Sequence, residues 1–334
     1  MKLIKTIFSV CSLFMLMSCL EHDTNKSVDT ASNVNKRTSV NLNIIITPDL
    51  SNRVQDNLYP KPVKDIDLIS SVFSNYYPTL YEYKHRISKQ KDAINLDFTN
   101  SNIINDYDYK GVYSFDIYKK EEQNSAYLKT FDGTQTQFEK ESKNFINDIN
   151  TIYDKASKKP AGADIFSYFK KLNTIIKKDI LDVEVQNYSI DTKYRNILIL
   201  FTDGYLEAGL YGERNCIDNK CYFLDGKLIS KFRDDFNRNG KGRDLKTFFK
   251  EKEYGIIPVE NPNLKNVEIF VCELYDRSLD TRSGSQRLIP TDFDIMKIFW
   301  QDWLEESGFK NIKIEAKVNS VDEFQTHLMA FINE

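Results

Sequence analysis

Short apolar runs punctuate this chain: Ile44-Ile45-Ile46 leads into Thr47, "ILILF" fills 197–201, and "VEIFVCEL", interrupted only by Glu268 and Glu273, fills 267–274. Runs of that length lack the alternation of a half-exposed strand, so they predict strands covered on both faces. Between them the apolar spacing changes to that of a helix. Ile66, Leu68, Ile69, Val72 and Phe73 predict a helix over about 66–77. Phe138, Phe145, Ile146, Ile149 and Ile152 predict another over 136–156, stopping ahead of Pro160, which disfavours helix at the residue before it. Ile165, Phe166, Phe169, Leu172, Ile175 and Ile176 predict a third, opening at Ala163-Asp164. "AINLDF" and "VYSFDIY" alternate as strands do. Toward the end, "IMKIFWQDWLEESGF" reads as an amphipathic helix closed by Gly308, followed by a strand, "IKIEAKV", and a last helix, "VDEFQTHLMAFI". Trp300 and Trp303, three apart on that first helix, read as core residues.

Buried strands alternating with helices predict an α/β fold, a doubly wound and mostly parallel sheet with helices on both faces, over residues 40–334. Ligands in such folds sit at the carboxyl ends of the strands. The stretch over about 205–264 is longer than a crossover helix needs and reads as an insertion. Within it, Asp225-Gly226 between apolar residues predicts a hairpin, with Tyr222 and Phe223 either packed down or exposed as a contact surface. Asp235, Asn237, Asn239 and Gly240 match the start of a calcium loop, but Lys246 stands where the closing acid belongs.

The first residues carry a targeting signal rather than fold information. A basic head with Lys2 and Lys5 precedes an apolar stretch too short to span a bilayer, so 1–18 reads as a secretory leader. Leu16-Met17-Ser18-Cys19 resembles the lipobox of bacterial lipoproteins, which implies cleavage before Cys19, its acylation, and attachment to a membrane through lipid. Residues 19–39 are polar and aperiodic and read as a tether of about 25 Å reach. Leu20 is not the aspartate that retains some lipoproteins in the inner membrane, which favours the outer one. A formal net charge of −3, spread among 46 basic and 49 acidic residues, gives no sign of a nucleic-acid binder. Cys216 and Cys221 are close enough in sequence to form a disulfide in an oxidising compartment, while Cys272 reads as a buried small hydrophobe. With three histidines in all, His22, His85 and His327, a histidine-rich metal site and a Cys/His protease are both disfavoured.

Two strand ends carry acids: Asp49 with Ser51 after the first strand, and Asp203 after the strand ending in Phe201. Side chains two apart in an extended segment share a face, so Asp49, Ser51 and Arg53 are expected on one side. Asp164 is a third candidate from a neighbouring loop. Carboxylates and a hydroxyl together suit a hard cation.

With "DLSNR" in the first loop and "LFTDG" at the later strand, the chain resembles the von Willebrand factor type A domain. The resemblance implies a metal-ion-dependent adhesion site, with Asp49, Ser51 and Asp203 on the family's positions and Asp164 in the neighbourhood of its threonine. It also implies Mg²⁺, or Mn²⁺ or Ca²⁺, whose open coordination position takes a partner's carboxylate. Arg53 stands where the second serine of the family's loop belongs. Two arrangements follow: Asp164 compensates and a cation binds, or the Arg53 guanidinium replaces the metal. The function expected is a lipid-anchored module binding a protein partner in the cell envelope, more in keeping with these residues than an enzyme. The alternatives are a metal-dependent hydrolase using the same acids and a metal-free scaffold lipoprotein.

Overall fold

The computed structural model describes residues 35–334, apart from 87–89, 101, 109–113, 131, 186–187, 208–211 and 281. The leader and Cys19 lie outside the described residues. Five strands run parallel in the main sheet: β1 Asn35–Pro48, β2 Ala93–Leu96, β5 Tyr188–Phe201, β9 Val267–Leu274 and β10 Lys310–Ala316. Two antiparallel strands complete it, β3 Ser114–Asp116 on the edge beside β2, and β4 Ile180–Val185 against the early half of β5. The order across the sheet is β10-β9-β5-β1-β2-β3. β1 begins at Asn35, so part of the expected tether belongs to the sheet. It pairs with β5 along its whole length, from Asn35 opposite Tyr188 to Pro48 opposite Phe201.

The unbroken apolar runs now have their explanation in the alternation of strand side chains. Ile44 and Ile46 of β1, with Ile197, Ile199 and Phe201 of β5, face one helical layer. That layer holds α1 Asp65–Ser74, α4 Gln137–Lys158 and α9 Val321–Asn333, with the short α2 Ile103–Asp106 and α3 Ile117–Gln123 at its margin. Ile45, Leu198 and Leu200 face the other way, toward α5 Ile165–Lys171, α6 Gly226–Asn239, α7 Leu245–Glu251 and α8 Asp292–Glu306. Each such isoleucine or leucine, fully buried, contributes about 1.5–3 kcal/mol. A polar ladder crosses this second face: Asn95 donates to Asn43, Asn43 to Asn196, and Asn196 to the carbonyl oxygens of Lys177 and Asn266, at 2.7 to 3.1 Å. Because it is paired, it fixes the β2-β1-β5 register without the cost of stranded amides.

Two local expectations are corrected. "VYSFDIY" is half strand: Asp116 accepts from the Lys119 N–H and starts α3 instead of extending β3. Asp225-Gly226 is not a hairpin turn, because the Asp225 carboxylate accepts from the Leu228 N–H and caps α6, whose Leu228, Ile229 and Phe232 fall at helical spacing. Asp235, Asn237 and Asn239 therefore lie on that helix, and Asn239 donates to Asp235 one turn back, so no calcium loop forms. The inserted hairpin is instead β6 Cys216–Ile217 with β7 Lys220–Cys221, joined by a Cys216–Cys221 disulfide and extended by β8 Gly255–Ile256. Tyr222 packs down edge-on against Phe166, with ring centroids 5.6 Å apart.

Candidate functional site at the carboxyl edge of the sheet

Parallel pairing brings the strand ends to one line. The Asp49 N–H donates to the Phe201 carbonyl at 2.9 Å, the Thr202 N–H to Cys272 at 3.1 Å, and the Tyr275 N–H to Asp203 at 3.0 Å. Asp49 and Asp203 therefore sit on adjacent strand ends, 1% and 5% exposed. Asp49 accepts from the Ser51 N–H at 2.9 Å on one oxygen and from the Thr202 hydroxyl at 3.0 Å on the other. Asp203 accepts from the Tyr205 N–H at 3.1 Å and from an Arg277 terminal nitrogen at 3.2 Å. Burial, then the nearby Asp49 charge, push Asp203 up to about 6, against the opposing pull of Arg277 and Arg53.

Glycine is required after Asp203. Gly204 has φ +87°, and a Cβ there would lie 2.9 Å from Leu274 Cγ and Met296 Sδ. The Trp300 indole N–H donates to the Gly204 carbonyl at 2.8 Å, which holds the loop from below.

Ser51 and Arg53 do not continue an extended segment. Ser51 is extended, but Asn52–Val54 is a single 3₁₀ turn, and it swings Arg53 inward to full burial. There Arg53 forks onto Asp65 at the start of α1, at 2.5 and 3.2 Å, and reaches the Asp49 carbonyl oxygen at 3.3 Å. Lys61 at 2.7 Å and the Tyr153 hydroxyl at 3.0 Å complete four bonds to Asp65. Burial pushes the Asp65 carboxyl up, but the charges of Arg53 and Lys61 outweigh it and hold the group well below the usual carboxylate range.

Asp164 is not part of this cluster. The loop before it does approach the first one, since the Ala161 N–H donates to the Leu50 carbonyl at 3.2 Å. The Asp164 carboxylate, however, accepts from the Ser167 N–H at 2.8 Å, capping α5, and lines a cavity whose walls include neither Asp49 nor Asp203. Among the described residues no group of three or more His, Cys, Asp or Glu side chains is placed to hold a metal ion.

Two further members were missed in the sequence. Arg277, three residues past β9, donates to Asp203 and to the Tyr59 hydroxyl through one terminal nitrogen. Its guanidinium lies over the Tyr205 ring at 3.6 Å, and its side chain is 36% exposed. Burial, then Asp203, push the Tyr59 hydroxyl up to about 12. Glu273, inside "VEIFVCEL", is 1% exposed with φ +71°, a conformation that strains a residue with a Cβ. One of its oxygens accepts from the Val318 N–H at 3.1 Å, and the other has no partner among the described residues. Burial, then Asp65, push it up to about 7. The signals were available: an acid within an otherwise apolar strand, and a third strand end with the same geometry as the first two.

No protein-family model matches the chain, and no curated protein is significantly similar to it. Its fold defines an α/β protein with a mostly parallel, Rossmann-like sheet. Among the described residues no helix is long and apolar enough to cross a membrane.

Proposed function

We propose that the chain is a binding module of the von Willebrand type A-like kind, held at the cell envelope by lipid on Cys19, with the outer membrane favoured. Its carboxyl edge receives an acidic group of a protein partner through Arg277. The observation that carries this reading is the half-used Arg277 guanidinium. One terminal nitrogen is committed to Asp203 and Tyr59, while its other nitrogens have no hydrogen-bond partner among the described residues. Its Nε–H and Nη1–H groups point away from Asp203, and each can give a partner's carboxylate one charge-assisted bond. The stacked Tyr205 ring keeps it aimed.

The residues fit a divalent cation poorly. Asp49 and Asp203 are two hard ligands without a third acid placed beside them among the described residues, and Arg277 already pairs with Asp203. In this reading Arg277, rather than a metal ion or Arg53, the two alternatives the sequence left open, supplies the positive charge that a partner meets. Arg53 is sealed against Asp65. A hydrolase using these acids is the second reading, and it draws support from Asp203 titrating at about 6, within reach of general-base work.

The test is calorimetric titration of the full-length chain with acetyl-Gly-Asp-Gly-amide and its Asn counterpart, in EDTA and then with Mg²⁺, Mn²⁺ or Ca²⁺. The acidic peptide is expected to bind in EDTA, the neutral one not, and Arg277→Ala to abolish binding. Binding that needs the metal and survives Arg277→Ala would restore a metal-dependent site. No binding under either condition would remove this edge from consideration as an acid receptor.

A further inference from the structure

Two segments meet at Arg277, and each presents bare apolar surface. Among the described residues six large hydrophobic side chains are exposed: Leu58, Ile180, Leu181, Ile217, Leu288 and Ile289. Three of the six lie on those two segments. Leu58, 54% exposed, precedes Tyr59, whose hydroxyl accepts from Arg277 and whose ring meets Tyr275 edge-on at 5.2 Å. Leu288 and Ile289, 46% and 72% exposed, close the loop that Arg277 opens. In that loop Leu279 bridges Gln286 in the antiparallel sense. The Asp280 N–H donates to the Ser285 carbonyl at 2.8 Å and the Arg287 N–H to the Ser278 carbonyl at 3.0 Å. Arg277 and Leu288 are the residues immediately outside this last rung, one on each side of it.

Both ends of the loop are fastened to the helical layer behind it. Asp276 accepts from the Ser278 N–H and hydroxyl on one oxygen and from the Phe293 N–H of α8 on the other, at 3.2 Å for the last. The Ser278 hydroxyl oxygen in turn accepts from the Asp292 N–H at 3.0 Å. At the far end Asn237 donates to the Ile289 carbonyl at 3.2 Å, and Arg233 to the Pro290 carbonyl at 2.7 Å. The leucine and isoleucine side chains are therefore held in water by a fixed main chain. A single exposed apolar residue is ordinary, whereas a contiguous pair beside a guanidinium with unused donors marks an interaction surface.

We propose that this surface takes an extended segment of a protein partner in which a large apolar residue lies two positions from the acid that Arg277 receives. The spacing follows from strand geometry. Residues two apart in an extended chain share a face and lie about 6.5 Å apart along it, so the acid and the apolar side chain reach the receptor together. Charge selects the occupant. The free N–H groups of Arg277 need an acceptor, which a purely aliphatic surface lacks and an acidic peptide with apolar neighbours supplies. The apolar contact rests on Arg277 acting as the acid receptor, and it adds the residues that flank the acid.

The test is calorimetric titration of the full-length chain with acetyl-Leu-Gly-Asp-Gly-Leu-amide, acetyl-Gly-Gly-Asp-Gly-Gly-amide and acetyl-Leu-Gly-Asn-Gly-Leu-amide. The first is expected to bind at least about fivefold tighter than the second, and the third not to bind. With Leu58→Ser, Leu288→Ser and Ile289→Ser combined, the advantage of the first peptide over the second should shrink to within about twofold. All three side chains are exposed, so this variant should melt within about 3 °C of the parent. Equal affinity for the first two peptides, lost for both in Arg277→Ala, would keep the acid receptor and overturn the apolar contact. An advantage undiminished in the combined variant would overturn it as well. The asparagine peptide binding as tightly as the first, or none of the three binding, would overturn the apolar contact and the acid receptor together.

Discussion

The two ends of the central sheet carry the same device in different company. At the amino end, Asp92 just before β2 accepts from both terminal nitrogens of Arg86, at 2.7 and 2.9 Å, from the Leu42 N–H at 2.7 Å and from the Tyr76 hydroxyl at 3.0 Å. At the carboxyl end, Asp65 accepts from both terminal nitrogens of Arg53, from Lys61 and from the Tyr153 hydroxyl. Each is a buried aspartate with a forked arginine, a tyrosine and a fourth donor. The difference lies beyond the staple. At the amino end Arg195 forks onto Glu268, at 2.5 and 2.8 Å, with Tyr83 and the Ile332 carbonyl taking its remaining terminal nitrogen. At the carboxyl end Glu273 keeps an unpaired oxygen and strained backbone, and Asp203 shares its arginine with solvent. Among the described residues unpaired buried atoms occur at both ends, Arg86 Nε and Gln90 Oε1 at the amino end and Arg53 Nε at the carboxyl end, so what sets the carboxyl end apart is an unpaired acid on strained backbone and a half-exposed arginine, features that stability alone does not call for.

The largest effect should come from breaking a staple. Arg53→Ala leaves Asp65 buried with only Lys61 and the Tyr153 hydroxyl as partners and is expected to cost about 3–5 kcal/mol in urea unfolding. Replacing all three charged partners by apolar residues, Arg53→Met and Lys61→Met with Asp65→Leu, should cost much less, because no charge of the staple is then stranded. An Arg53→Ala cost below about 1 kcal/mol would mean that the staple is not formed as described.

Glu273→Gln should go the other way. An acid raised in the folded state binds its proton more tightly there than when unfolded, so its contribution is most favourable below about pH 4.5 and is lost as pH rises toward about 7. The substitution should therefore stabilise the protein at pH 8, by up to roughly 3 kcal/mol, and change little at pH 4.5. A gain that does not vary with pH would assign the effect to packing instead of charge.

Gly204→Ala combines a positive φ with a close approach to Leu274 and Met296, and a loss of about 1–3 kcal/mol is expected in thermal unfolding. Arg277→Ala should be the mildest in stability, within about 1 kcal/mol, because the pair is partly solvated. It should move the Asp203 titration above about 6 in carboxyl-carbon NMR, since Arg277 now holds it down. An unmoved titration would separate the two groups in solution and remove the support for Arg277 as the edge's cation.

Much of the fold was legible because burial on two faces writes itself locally. A parallel strand covered on both sides needs apolar residues at every position, as in "ILILF", and each long helix shows its own period. Turn chemistry was less legible. Asp225-Gly226 serves a hairpin and a helix start equally well, and only the apolar helical spacing after it, packed against α8, selects the cap.

By itself the sequence determined that Asp49 and Asp203 lie at one edge, since each follows a buried strand and parallel strands end together. It did not determine which cation meets them. Arg53 is two residues past Ser51 and was the natural candidate, yet Asp65, 12 residues on, takes it, while Asp203 receives Arg277 from 74 residues away. Those choices are made by which strand lies beside which and by where α1 begins. A charged side chain settles on the partner that the packing brings within about 3 Å, and sequence distance carries no information about that.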